Sequence, residues 1–277
     1  MNSVIKTYTR YGEKTEAVVN ILEGDYLKDR NILITGGATG LGFSIAEACL
    51  RNGANVVLAS RSEEKLNIAK KKLSRIGRGR VEIVTLDINQ PETFEKVVKK
   101  ANSFFETGLD TLVNSAGVMV GTDFGETSLE DYDKVLDTNL KGTFFFTQAF
   151  ANDMINRKIK GNILMISSAS GVRPAVTPYM LSKWGIVGLT EGLAKKLIKY
   201  DIVVNGIGPG PVPTPLMKMD PNGDYTKLNS PSGRFIIPEE VSNIAVFLIS
   251  NMARMIVGDT VFVTGGVGTL TVDDRKY

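Results

Sequence analysis

From residue 31 onward, the sequence alternates short apolar runs rich in β-branched residues with longer amphipathic runs. The short runs are typical of buried strands, and the longer runs have the periodicity of helices. A strand, a helix and a second strand in succession form a βαβ unit, which requires a parallel sheet covered on both faces. The sequence therefore predicts an α/β fold, a single doubly wound parallel sheet of seven strands with helices on both faces.

The predicted strands are separated by intervals long enough for one helix each. They are residues 31–35, 55–59, 81–85, 110–114, 162–167, 202–207 and 260–264. The helical patterns lie around residues 41–52, 62–75, 91–106, 129–156, 179–199 and 238–250. Right-handed crossovers then place the ligand site beyond the carboxyl ends of the strands.

Two regions lie outside this alternation. Residues 1–28 form an N-terminal extension, in which TEAVVNIL (15–22) is compatible with a short helix; a packed arm and a loose tail both fit the composition. Residues 214–237 are rich in Pro, Gly and Asn, and loops of this length in compact domains are usually functional. We therefore expect one domain over residues 29–277, with a lid at about 214–237.

The composition excludes several classes of function. The chain has no histidine, which excludes Ser–His–Asp and Cys–His catalysis and the common zinc sites, so we expect no metal. The single cysteine, Cys49, excludes an internal disulfide framework and favours a reducing compartment. A formal charge of +3 does not indicate nucleic acid as a partner, and no apolar run approaches the ~20 residues of a membrane helix. These features predict a soluble, cytoplasmic protein without a nucleic-acid or membrane partner.

The stretch TGGATGLG (35–42) follows the first predicted sheet strand and precedes a helix. In this context, backbone N–H groups and the helix N-terminus can bind an anion at close range. A P-loop is excluded because Phe43 stands where the phosphate-binding lysine is required. The spacing that fits is T-G-x-x-x-G-x-G, and here the chain resembles the short-chain dehydrogenase/reductase family, which implies a Rossmann-type dinucleotide site. The residues assigned to this loop are Thr35, Gly36, Gly40, Leu41 and Gly42.

The end of the next strand predicts which dinucleotide binds. NAD-dependent enzymes of this fold place a carboxylate there for the ribose hydroxyls, whereas this sequence has Ser60 and Arg61. A guanidinium pairs well with a phosphate dianion, and a serine hydroxyl can donate a hydrogen bond to it. We therefore predict NADP(H) rather than NAD(H).

The resemblance implies further cofactor contacts after the later strands. Asp87 and Ile88 match the positions at the adenine pocket, and NSAG (114–117) resembles the turn beneath the cofactor, with Ser115 replacing the usual second Asn. GPGPVPTP (208–215) resembles the loop at the nicotinamide carboxamide. The additional cofactor-binding residues implied are Asn114, Ala116, Gly117, Pro209, Gly210, Val212 and Thr214, together with the catalytic Tyr179 and Lys183.

The stretch YMLSK places a phenol and an ammonium four residues apart, on one face of a predicted helix. In the family that the chain resembles, Tyr179 would exchange a proton with the substrate oxygen, and Lys183 would lower the pKa of the phenol and hold the nicotinamide ribose. Ser168 would orient the carbonyl oxygen, with Ser167 and Ser170 as rivals for this role, and Asn139 would help to hold a water chain.

The resemblance implies an NADP(H)-dependent oxidoreductase that interconverts a ketone and a secondary alcohol. The lid offers apolar and basic residues, which favour a 3-oxoacyl thioester or related keto substrate, with sugars and polyols as the second choice. A non-catalytic NADP-binding sensor or scaffold and a nucleotide-sugar epimerase or dehydratase are competing hypotheses. An enoyl reductase is disfavoured, because related enzymes space Tyr and Lys further apart. Family members usually form homotetramers, so we expect a homo-oligomer (tetramer or dimer).

Overall fold

The computed structural model describes residues 2–121 and 123–268. Its centre is a seven-stranded parallel sheet in the order β5-β4-β3-β6-β7-β8-β9, beside a separate antiparallel pair, β1 and β2. The strands are β1 (Ser3–Arg10), β2 (Glu13–Asn20), β3 (Asn31–Thr35), β4 (Asn55–Ser60), β5 (Val81–Thr85), β6 (Thr111–Asn114), β7 (Gly161–Ile166), β8 (Ile202–Pro209) and β9 (Thr260–Val263). The helices are α1 (Gly40–Arg51), α2 (Glu63–Leu73), α3 (Phe94–Asn102), α4 (Leu129–Leu136), α5 (Thr143–Asn156), α6 (Pro178–Leu197) and α7 (Pro238–Ile249).

The predicted fold class is confirmed, and the boundaries of the sheet strands lie within two residues of the predicted ones. The chain runs from β3 outward to β4 and β5, and then returns to β6 on the other side of β3. The strand order therefore reverses between β3 and β6, where Thr35 pairs with Asn114 at the carboxyl ends. A crevice at such a reversal point is the usual ligand site of an open parallel sheet.

Two apolar layers cover the sheet. Ile32 and Ile34 of β3 face the layer that contains α1 and α7, whereas Leu33 faces the layer that contains α3, α5 and α6. This alternation follows from the two-residue period of a strand. In the second layer, the rings of Phe94 and Phe146 meet edge to face, with centroids 5.1 Å apart. The sheet is thus covered on both faces, and access from solvent remains at the strand ends.

The predicted helix at 129–156 is interrupted by a π-helical turn, Asp137–Gly142, between α4 and α5. The turn lies close to the loop after β5, because a Cβ on Gly142 would come within 2.2 Å of the Ile88 carbonyl oxygen. Such turns are frequent at functional sites, since the extra residue redirects side chains from the regular helical face. Here the turn contains Asn139, whose side chain is buried.

The N-terminal extension forms a packed β-hairpin, so the suggested helix for TEAVVNIL is wrong. Its β-branched residues pair with β1 in a register that matches Tyr8 with Thr15. The two-residue turn between the strands contains Tyr11 and Gly12, which both have positive φ (52° and 82°). This geometry matches the right-handed twist of paired strands and fixes a hairpin.

Among the helices of the described part of the chain, none combines the length and apolar character needed to cross a membrane.

Candidate active site

A cavity of about 1120 Å³ lies beyond the carboxyl ends of the central strands. Most of the residues predicted for the site line it: Gly36, Gly40, Leu41, Gly42, Arg61, Ala116, Gly117, Ser168, Tyr179, Lys183, Pro209, Gly210, Val212 and Thr214. The remaining predicted residues are not among those that line it: Thr35, Ser60, Asp87, Ile88, Asn114 and Asn139. The structure thus brings most of these residues to one cavity.

The glycine loop forms the floor of one end of this cavity. A Cβ on Gly42 would lie 2.5 Å from the Gly36 carbonyl oxygen, so only glycine allows the loop to close on the first turn of α1. The helix begins after Thr39, whose side chain makes no capping hydrogen bond, and its first turn has no acidic residue. The first N–H groups of α1 therefore remain available to an anion, as a dinucleotide pyrophosphate requires.

The turn after β6 is fixed by the buried hydroxyl of Thr35. The backbone N–H groups of Ser115 and Ala116 both donate to Thr35 Oγ1, each at 3.1 Å. The Asn114 side chain donates to Thr147 Oγ1 at 2.8 Å. The turn therefore does not require an asparagine at position 115, because Thr35 of the neighbouring strand supplies the hydrogen-bond acceptor.

The end of β4 presents a group of polar atoms that fits a phosphate. Ser60 Oγ is buried and has no hydrogen-bond partner among the described residues. Arg61 lines the cavity, and so does Lys65 of α2, which the sequence analysis missed. Ser62 starts α2 by accepting a hydrogen bond from the Lys65 N–H at 3.2 Å. This cap places Lys65 one turn beyond Arg61, a spacing that could have been read from the sequence.

Tyr179 lies in the first turn of α6, which begins at Pro178 after Thr177 caps the Met180 N–H. Burial raises the pKa of the Tyr179 phenol, and a hydrogen bond with the Ser168 side chain opposes this shift. Ser167 instead donates to the Lys183 carbonyl oxygen at 2.9 Å. Ser168 and Ser170 also line the cavity, and of the three serines only Ser168 acts on the pKa of the phenol.

Lys183 is 6% exposed, and its Nζ donates to the Ile166 carbonyl oxygen at 3.0 Å. Its Nζ also lies 5.6 Å from the centroid of the Tyr179 ring. Burial lowers the pKa of Lys183 to about 8. The expected lowering of the pKa of the phenol by this ammonium is not found, because burial favours the neutral forms of both groups.

Asn139 lies behind the catalytic group and joins three elements. Its Oδ1 accepts from the Val118 N–H at 2.8 Å, and its Nδ2 donates to the Val118 carbonyl oxygen at 2.9 Å. The same amide donates to Ser182 Oγ at 3.1 Å, and Ser182 lies next to Lys183 on α6. Asn139 therefore ties the segment after β6 to the helix that presents Tyr179 and Lys183.

The loop after β8 closes the cavity opposite the glycine loop. A Cβ on Gly40 would lie 3.6 Å from atoms of both Thr214 and Pro215, so the two loops face each other closely. Asp87 and Ile88, predicted at the adenine pocket, do not line the cavity, and the Asp87 carboxylate accepts from the Asn89 N–H at 3.0 Å.

The sequence analysis missed several residues that line the substrate end. Arg173, Asn229 and Val267 are among them. Arg173 follows the short helical turn that begins after Ser168, and nothing in its spacing indicated that the turn would direct it to the cavity. Five cationic side chains and no carboxylate line the cavity within the described residues: Arg61, Lys65, Arg173, Lys183 and Lys227.

The burial of Lys183 predicts a pH-dependent cost to stability. An unfolded lysine titrates near 10.5, so between pH 8 and 10.5 the unfolded chain binds more protons than the folded one. The cost is therefore full below about pH 8 and disappears as the pH approaches 10.5. Lys183→Met should raise the free energy of unfolding at pH 7 by about 1–3 kcal/mol, with a smaller gain at pH 9.5, measured by chemical denaturation.

The control for this measurement is Lys195→Met, which changes an exposed lysine of the same helix. It should leave the pH dependence of stability unchanged. A Lys183→Met protein that is less stable than the parent at pH 7, or equally affected at both pH values, would contradict the argument.

Comparison with known proteins agrees with this geometry. A sequence profile described as Enoyl-(Acyl carrier protein) reductase matches residues 36–268. The 3-oxoacyl-[acyl-carrier-protein] reductase FabG of Aquifex aeolicus is 32% identical over 245 residues, which covers 87% of this chain and 98% of the relative. An NAD-dependent glycerol dehydrogenase of Listeria innocua is 34% identical over 87% of this chain and 94% of its own length.

A solved structure of an actinorhodin polyketide ketoreductase with NADPH has a TM-score of 0.78 and 29% identity. It matches 86% of this chain, and 97% of the ketoreductase chain is covered. These matches support an oxidoreductase that acts on CH–OH and C=O groups with a nicotinamide cofactor. Together with the fold and the cavity described above, they show that the chain belongs to the short-chain dehydrogenase/reductase family.

Proposed function

We propose that this protein is an NADP(H)-dependent reductase of keto substrates, with a 3-oxoacyl thioester as the favoured substrate class. The observation that carries the proposal is that Tyr179 and Ser168 line the same cavity as the glycine loop. A phenol and a hydroxyl side by side can both donate to one carbonyl oxygen. The four-residue spacing of Tyr179 and Lys183 supports reduction of C=O rather than of C=C.

The protein groups divide the work of carbonyl reduction. When bound, reduced nicotinamide supplies a hydride to the carbonyl carbon. Tyr179 is held in its protonated form, because burial raises its pKa, and it donates that proton to the carbonyl oxygen as negative charge develops there. Ser168 hydrogen-bonds the same oxygen. Lys183, with a pKa of about 8, is mostly protonated at pH 7 and stabilises the phenolate left behind.

Asn139 acts as a positioning residue in this proposal. Its three hydrogen bonds hold the segment at Val118 against α6, which fixes the distance between the cofactor-side turn and Tyr179. A catalytic phenol has to be held within a fraction of an ångström of its productive position. The water chain expected at Asn139 would have to form from its backbone, since its side-chain amide is engaged by the protein.

The preference for NADP(H) is supported by the groups at the end of β4. Ser60, Arg61 and Lys65 supply an unpartnered hydroxyl and two cations, and neither cation forms an ion pair with a described residue. A 2′-phosphate would satisfy all three groups. A ribose hydroxyl alone would leave the positive charges uncompensated.

The substrate end of the cavity supports a substrate with an apolar part and an anionic part. Leu216, Met217 and Val172 supply apolar surface, and Arg173 and Lys227 supply positive charge. A 3-oxoacyl group carried as a thioester on a phosphate-bearing arm combines these properties. The relative from Aquifex aeolicus, named as a 3-oxoacyl reductase, supports this class, whereas the glycerol dehydrogenase of Listeria innocua favours a polyol as the second candidate.

The reaction is tested by assaying NADPH oxidation with a panel of 3-oxoacyl thioesters, simple ketones and sugars, and NADP⁺ reduction with polyols. We expect turnover with the thioesters and a decrease of about 10²–10⁴-fold in kcat for Tyr179→Phe, because only the proton donor is lost. Tyr132→Phe, a change at an exposed tyrosine of α4, is the control and should retain full activity. Turnover on polyols alone would overturn the substrate class, and an undiminished Tyr179→Phe protein would overturn the mechanism.

The cofactor preference is tested by steady-state kinetics with NADPH and NADH. Arg61→Asp should lower kcat/KM for NADPH by roughly 10–100-fold, because a charge-assisted hydrogen bond is replaced by repulsion. It should also shift the preference toward NADH. Arg75→Asp makes the same charge change at an exposed position outside the cavity and should not alter the preference. A parent protein that is equally efficient with NADH would contradict the prediction.

We infer that subunits associate through α5 and α6. Phe144 and Phe145 of α5, together with Leu181 and Trp184 of α6, each expose more than two fifths of their surface. Both helices cover the same face of the sheet, and exposed apolar side chains of this size are typical of a subunit interface. Light scattering should give the mass of a dimer or tetramer, and Phe145→Glu should reduce it. A monomer at micromolar concentration would contradict the inference.

A further inference from the structure

We propose that the N-terminal hairpin, β1 and β2, is part of the substrate site. It holds the lid hairpin, defined here as residues 225–235, in the position where the tip of the lid hairpin lines the cavity. The kinetic part of this inference rests on the proposed function. The N-terminal hairpin is a separate two-stranded sheet beside the seven-stranded one. Its proposed role is to position the lid hairpin.

The lid hairpin is a short antiparallel loop. Thr226 pairs with Arg234, and the Phe235 N–H donates to the Tyr225 carbonyl oxygen at 2.8 Å. The Lys227 N–H donates to the Gly233 carbonyl oxygen at 2.9 Å. The residues at its tip that line the cavity are Lys227, Asn229 and Pro231. The position of this tip therefore sets the shape and charge of the substrate end.

Strand β1 binds the base of the lid hairpin through its backbone. The Tyr225 N–H donates to the Thr7 carbonyl oxygen at 3.3 Å, and the Thr9 N–H donates to Thr226 Oγ1 at 2.7 Å. Lys6 Nζ and the Tyr225 hydroxyl both donate to the Pro221 carbonyl oxygen, at 2.9 and 3.0 Å. The lid hairpin is thus bound along β1 by backbone and side-chain hydrogen bonds.

A separate apolar cluster lies beneath these bonds. Tyr8 and the two inner residues of β2, Ala17 and Val19, pack with Tyr225, Phe235 and Ile237. Tyr225 has no exposed surface, and Met217 both packs against this cluster and lines the cavity. Removal of the N-terminal hairpin from this cluster would expose the Tyr225 ring to water, so burial of the ring couples the two hairpins.

The N-terminal hairpin is itself tied to the catalytic domain at the end of β2. The Leu22 N–H donates to Asn243 Oδ1 at 3.1 Å, and Asn243 Nδ2 donates to the Asn20 carbonyl oxygen at 2.8 Å. On the other side, Arg234 binds Glu240 of α7 through both of its terminal nitrogens, at 2.9 and 2.7 Å. The lid hairpin is therefore held between α7 and the N-terminal hairpin, and α7 also binds the end of the N-terminal hairpin.

This arrangement makes the substrate end of the cavity depend on the N-terminal hairpin, whereas the cofactor end does not. Met217 and the tip at Lys227 depend on the N-terminal hairpin, whereas no hydrogen bond of the described residues joins that hairpin to the glycine loop, Arg61 or Lys65. Loss of packing under the N-terminal hairpin should therefore weaken binding of the keto substrate and leave NADPH binding unchanged. A merely structural role would affect both.

The test uses the full chain with Tyr8→Ala. This change removes the aromatic ring that β1 contributes to the cluster with Tyr225. The control is Ile5→Ala, which removes an apolar side chain that is 54% exposed on the other face of the same strand. We expect Tyr8→Ala to raise KM for the keto substrate by about tenfold, because displacement of a positioning segment by about 1 Å can cost up to 100-fold. The Kd for NADPH should change by less than about twofold, and amide hydrogen exchange of residues 225–235 should become faster.

Thr226→Val provides a second variant of small volume change in case Tyr8→Ala does not fold. It removes the hydroxyl that accepts from the Thr9 N–H and donates to Asp224 Oδ1 at 2.7 Å, and it should give the same pattern with a smaller effect. Unchanged exchange at 225–235 in Tyr8→Ala, or faster exchange with unchanged KM, would overturn the inference. If the parent protein turns over no keto substrate, the proposed function fails; in that case the exchange of residues 225–235 and the Kd for NADPH still decide whether the N-terminal hairpin holds the lid hairpin.

Discussion

The hydroxyl of Thr35 joins the two halves of the parallel sheet at the point where the strand order reverses. It accepts hydrogen bonds from two consecutive N–H groups after β6, while its own strand continues into the glycine loop. Both loops therefore take their positions from one buried atom. The crevice between them is open because the chain leaves β3 and β6 in opposite directions. The cavity floor, the anion-binding end of α1 and the turn at Ala116 all follow from this junction.

Burial favours the neutral form of both catalytic side chains, Tyr179 and Lys183. It raises the pKa of Tyr179 and lowers that of Lys183, so both side chains are shifted toward their neutral forms. A neutral phenol is the form required of a proton donor, whereas a lysine with a pKa near 8 responds strongly to any anion that comes close. The pair is therefore sensitive to the charges that substrate and cofactor bring into the cavity. Burial of the Lys183 amine lowers the stability of the fold, and the same burial makes its charge sensitive to bound ligands.

Much of the fold could be predicted from the sequence, because the strands of the parallel sheet are short β-branched runs separated by longer helical segments. NILIT at 31–35 is an example in which prediction and structure agree at both ends. The prediction for TEAVVNIL is wrong, because a run this short fits a helix or a strand equally well and only pairing with β1 decides between them. Lys65 could have been found from its spacing to Arg61. Arg173 could not, since its direction depends on a turn that packing creates.

The contacts between the two hairpins have a consequence for the order of assembly during synthesis. Thr9 and Thr226 are separated by 217 residues, so β1 leaves the ribosome long before the segment that it binds has been synthesised. Contacts this distant in sequence form late, because the entropy of closing so long a loop opposes them. The strands and helices of the dinucleotide-binding half, β3 to β6, are synthesised much earlier. The glycine loop and Arg61 are thus synthesised well before the segments that line the substrate end of the cavity.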